Sequence, residues 1–121
     1  MKNYLTLVLS IWLFGCTDNE SHEHPAFKTG KELFAHHCQG CHGERGQGNF
    51  LKGVPANVKT QKTQLELIAW LKNSEQIPRA MPSFEAMTDA EAVLIIEHLN
   101  YLKFNYQTAM EKRLNNDGVH H

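Results

Sequence analysis

A four-residue signal, Thr-x-x-Glu, recurs three times in this chain, at Thr29/Glu32, Thr63/Glu66 and Thr88/Glu91, each time opening a run with helical spacing. In such a capping box the threonine hydroxyl accepts from the amide three residues on, while the glutamate reaches back to the threonine amide. Donors that a helix start leaves unpaired are thereby satisfied, so each start is encoded locally. The first box leads through Leu33 and Phe34 into His36-His37-Cys38. The second opens a run over about 63–73 in which Leu67, Trp70 and Leu71 share a stripe. The third run is the longest: Ala92, Ile95, Ile96, Leu99 and Leu102 lie on one face of a helix. No internal repeat and no alternating strand pattern accompanies them. An all-α fold with three main helices and long loops is expected.

The ends of the chain read differently from its middle. Met1-Lys2-Asn3 is a short basic start, and Tyr4 to Phe14 is an apolar run broken by Thr6 and Ser10. That run is too short to span a bilayer, which takes about 20 apolar residues, and has the length of a secretory signal core. Leu13-Phe14-Gly15-Cys16 resembles the lipobox of bacterial lipoproteins. The resemblance implies cleavage before Cys16 and acylation of its thiol, an anchor that needs more than one acyl chain to hold. Residues 1–15 are therefore read as a signal peptide and 16–26 as a polar tether. The ordered domain is placed at 27–105, with 106–121 a partly disordered extension. Three cysteines in an exported chain leave an odd one; lipidation gives Cys16 its role.

Cys38-Gln39-Gly40-Cys41-His42 carries the chemistry. Residues three apart share a helix face, so both thiols can reach the two vinyl groups on one edge of a porphyrin. His42 then lies where Nε2 can bind iron. This spacing is the haem c attachment pattern. Other chemistries use part of it. A thioredoxin-like pair needs a βαβ context, which is missing. Zinc needs a fourth ligand, for which His36 or His37 would have to serve. A Cys38–Cys41 disulfide closes too small a loop to stabilise much. A domain of about eighty residues with few large apolar side chains has a marginal core, and one covalent haem is a large apolar plate for it to wrap. The Gly-, Asn- and Lys-rich loop between the first two helices is unusually long for a small domain without a function.

With these residues in view, 27–104 resembles a class I cytochrome c. The family's glycine and aromatic on the N-terminal helix match Gly30 and Phe34, and its aromatic near the end of the last helix matches Tyr101. His98 stands where relatives carry an aliphatic residue. The resemblance implies a methionine as the second axial ligand, and Arg79-Ala80-Met81-Pro82-Ser83-Phe84 matches that segment. Pro82 keeps Met81 out of helical dihedrals. Met87, Met110, His36, His37 and His98 are the rival ligands. Pro55, thirteen residues after His42, matches the family proline whose carbonyl accepts from the histidine Nδ1–H; an ordinary loop proline is the other reading. Trp70 either reaches a haem propionate or packs against the ring.

The implied role is that of an electron carrier, not an enzyme, with redox proteins as partners. The expected setting is the bacterial cell envelope: a monomer, held to the membrane by its lipid and facing the periplasm. A haem protein that binds gases or peroxide at iron, and a tethered subunit of a larger oxidoreductase complex, are the alternatives. Net charge is −1, yet Lys28 to Arg79 holds eight Lys/Arg against four Asp/Glu, and Ala80 onward three against six. Such asymmetry suits steering of a charged protein partner and not nucleic-acid binding. No nucleophile, base and oxyanion set stands out.

Overall fold

The computed structural model describes residues 25–73, 81–82 and 84–118. The expected signal peptide, Cys16 and nearly all of the expected tether lie outside the described residues, as do Arg79, Ala80, Ser83 and the terminal histidines. Among those described, the order is α1 (Gly30–His37), α2 (Gln39–His42), 3₁₀ turns at Phe50–Lys52 and Asn57–Lys59, α3 (Gln64–Leu71) and α4 (Asp89–Asp117). There is no strand among them, only an isolated antiparallel bridge between Asn49 and Val54. The fold is all-α and cytochrome c-like.

All three capping boxes are formed. The Thr29, Thr63 and Thr88 hydroxyls each accept from the amide of the glutamate three residues on, and each glutamate carboxylate accepts in return from its threonine amide. The Thr29 hydroxyl, and then the amides of Lys28 and Thr29, hold the Glu32 carboxyl below its ordinary pKa.

Each stripe read from the sequence turns inward. Leu33 and Phe34 of α1, Leu67 and Leu71 of α3, and Ala92, Ile95, Ile96 and Leu99 of α4 are buried in one cluster with Cys38, Val58, Phe84 and Met87. Burial of each large aliphatic or aromatic side chain stabilises the fold by about 1.5–3 kcal/mol before chain entropy is counted.

The α1–α4 crossing organises the rest. A Cβ placed on Gly30 would stand 2.0 Å from the carbonyl oxygen of Leu94 and 3.1 Å from Cβ of His98, so only glycine lets the two backbones approach this closely. The aromatic partner of Phe34 is His98, edge-on at 5.4 Å between ring centroids. Tyr101, the residue matched to the family's aromatic, stacks on His98 at 6.0 Å and is 60% exposed. His98 thus takes the inner ring position.

The expected domain end at residue 105 is not a structural break. Helix α4 continues through 106–117 to a Gly118 cap. Of its apolar residues there, Tyr106 still packs against the core while Met110 and Leu114 are exposed, and the polar residues between them read from sequence as an extension.

Candidate haem-binding site

Cys38 ends α1 and begins α2. Its amide donates to the Phe34 carbonyl at 2.8 Å, and its own carbonyl accepts from His42 at 2.9 Å and Cys41 at 3.3 Å. The pentapeptide is therefore held by backbone hydrogen bonds on both sides of the first cysteine. Cys38 is buried and Cys41 exposed, and both thiols are free. Burial, and secondarily the neighbouring Cys41, pushes the Cys38 thiol up to about 12. A thiol that stays protonated is the wrong nucleophile for disulfide exchange. A thioether carries no titratable proton, so burying that sulfur costs no charge once it is alkylated. Among the described residues no three His, Cys, Asp or Glu side chains converge as a zinc site needs.

His42 is oriented from outside its own turn. Its Nδ1 lies 3.0 Å from the carbonyl oxygen of Pro55. A carbonyl only accepts, so this contact assigns the proton to Nδ1 and leaves the Nε2 lone pair available to a metal.

The loop that delivers Pro55 is built for the task. The Gly48 amide donates to the His42 carbonyl at 2.7 Å, Asn49 and Val54 exchange two hydrogen bonds of 2.9 Å, and the Val58 amide donates to Gly46 at 3.2 Å. Gly48 sits at φ +71°, and a Cβ there would lie 2.5 Å from the Val54 carbonyl oxygen.

Met81 and Trp70 are half-buried and pack against the cluster that contains Cys38, Phe84 and Met87. The chain thus brings Cys38, Trp70 and Met81 to one apolar body, with His42 and Pro55 joined beside Cys38. Two of the rival ligands, Met87 and His37, touch the same apolar body. Met87 is 2% exposed within the core, and Met110 is 39% exposed on the outer part of α4. The His36 ring packs on Phe27 and His37, the His37 ring on Phe84, and the His98 ring on Phe34.

Sequence reasoning passed over the Asn49–Val54 pair, which closes the loop below Pro55. It also passed over the ion pair between Lys72 and Asp89, which joins the end of α3 to the start of α4 across the segment carrying Met81. Opposite charges at those two helix ends were the available signal.

Two free thiols one turn apart, an imidazole with Nε2 left for a metal, and a neutral apolar surround fit a covalently attached haem. Fold and donor set together define a c-type cytochrome, with haem-based electron transfer as its chemistry. The family model described as cytochrome c oxidase, cbb3-type, subunit III, matches residues 25–99, and the chain belongs to that family. Comparison with curated proteins and with solved structures gives no match.

Proposed function

We propose that the protein carries single electrons at one haem, with Cys38 and Cys41 as its thioether links and His42 and Met81 as axial ligands. When bound, haem supplies a one-electron Fe(III)/Fe(II) couple, and thioether ligation raises its potential relative to two imidazoles. Pro55 keeps the proton on His42 Nδ1 and fixes the ring plane, which sets the basicity of Nε2. Trp70 packs on the apolar body that would face the macrocycle, and the surrounding apolar side chains exclude water. With both axial positions filled the protein has no place for a substrate and acts as a carrier, not an enzyme.

The observation that carries this reading is the His42–Pro55 contact beside two free thiols. The full proposal places a monomer in the bacterial cell envelope, facing the periplasm and held by acylated Cys16. Mass spectrometry of the mature chain tests attachment and anchoring together. A mass increase of one haem on the Cys38–His42 peptide and acyl chains on Cys16 are expected. An unmodified Cys38–His42 peptide from a host able to attach haem would overturn the reading. Replacing Met81 with alanine is expected to abolish the sulfur-to-iron charge-transfer band of the oxidised protein; a retained band would reassign the ligand.

The family's description as an oxidase subunit favours a second reading, in which the chain docks permanently on a larger oxidoreductase. Purification from solubilised membranes distinguishes the two readings: a stoichiometric companion supports the subunit, and a lone chain the shuttle.

A further inference from the structure

Two adjoining grooves meet at Tyr106 on the outer half of α4. The first, of about 340 Å³, has Leu102, Tyr106 and Met110 as its floor and Arg45 and Arg113 at its walls. The second, of about 370 Å³, lies between Lys59 and Lys103 on the other side of the same tyrosine. The Lys59 ammonium stands over the Tyr106 ring, 5.7 Å from its centroid. Four cations therefore line the two grooves that share Tyr106, and no Asp or Glu lines either. Arg45 follows His42 by three residues and Lys59 follows Pro55 by four, so one cation of each groove comes from the same loop that orients the imidazole and the other from α4.

We infer that these grooves form one docking surface for an acidic segment of a protein partner. Its carboxylates would meet Arg45, Arg113, Lys59 and Lys103, and an apolar side chain between them would seat on Leu102, Tyr106 and Met110. Arginine's planar fork suits carboxylates, and apolar floors ringed by charge are the usual form of a specific interface.

Concavity selects a protein over a lipid surface. Leu102 and Tyr106 are half-buried in concave grooves, which a flat layer of anionic headgroups fills less well than a protruding side chain. The inference deepens the electron-carrier reading by giving the partner's chemistry, and it rests on that reading only in taking the partner to be a redox protein.

The test uses the full, haem-loaded chain, ¹⁵N-labelled, with a synthetic peptide of repeating Glu-Glu-Leu as the probe. Amide shifts are expected to cluster at 45–47, 58–61 and 102–113. The double variant Arg45→Gln/Arg113→Gln should bind roughly tenfold more weakly, in line with losing charge-assisted contacts. Lys31→Gln/Lys62→Gln, which removes the same charge elsewhere, should change binding less than about twofold. Unchanged helical circular dichroism shows that the variants fold, and Lys59→Gln gives an independent check from the second groove.

Shifts centred away from α4, or equal weakening by both double variants, would overturn the surface. So would retention on phosphatidylglycerol vesicles that depends on Arg45 and Arg113 without peptide binding, or a concentration-dependent dimer that occupies the grooves. Peptide contact is read without electron flow, so losing this surface leaves electron carriage standing, and a chain lacking haem leaves the grooves standing.

Discussion

The α1–α4 crossing and the His42–Pro55 loop are both places where glycine allows a close approach, yet they are held by different forces. At the crossing, side chains do the holding: Phe34 and Leu33 are fully buried, and His98 caps the contact. In the loop, the holding is done by hydrogen bonds, from backbone pairs, the Asn49 and Gln47 side chains and the imidazole, and 50–53 are exposed. Packing energy is spread over many contacts, whereas the loop concentrates its function in one carbonyl. Damage at the crossing should therefore register as lost stability, and damage in the loop as a changed imidazole.

Phe34→Ala should show the contrast most strongly. It removes a fully buried ring and should lower unfolding free energy by about 3–5 kcal/mol, read from denaturant melts, while His42 keeps its bond. Gly30→Ala forces a methyl group against the Leu94 carbonyl and should cost about 1–3 kcal/mol; an unchanged midpoint would mean the helices can part freely. Gly48→Ala should cost roughly 1–2 kcal/mol for its left-handed backbone. Its more telling effect is faster solvent exchange of the His42 Nδ1 proton, measured by NMR, which the two crossing variants should leave alone.

The crossing also has a pH dependence. Burial, and then the charge of Lys31, depresses the His98 pKa. As pH falls through about 6.5 the unfolded chain takes the proton first. Stability is therefore lost over that interval, until pH drops below the folded value. His98→Phe should flatten this part of the melt-versus-pH curve relative to the parent. Smallest of all, Asp89→Asn removes an exposed ion pair and should cost about 0.2–1 kcal/mol, with a larger effect at low salt than at high.

Local features were the legible ones. The three capping boxes depend on residues three apart, and the helix stripes on residues three and four apart, so each could be read within a short window. Pro55 was legible through the family resemblance, although its place thirteen residues after His42 did not separate it from an ordinary loop proline. Less was legible where partners are distant in sequence. The place of His98 depends on how closely Gly30 lets α1 approach, which periodicity does not encode. Asn49 and Val54 find each other only after the intervening turn has formed. The reach of α4 to Asp117 was hidden because the stripe of Tyr106, Met110 and Leu114 is diluted by Lys, Glu and Asn, with no box or breaker to mark an end at 105.

The burial of Cys38 imposes a sequence of events on biogenesis. A cysteine only 8% exposed offers little approach to a vinyl group once Phe34 and α4 have closed around it. If Cys38 carries the proposed thioether, its alkylation must come before that closure or during a reopening of it. The same seclusion keeps a waiting thiol protonated and slow to pair with Cys41, so the unfinished polypeptide is shielded from its most damaging side reaction.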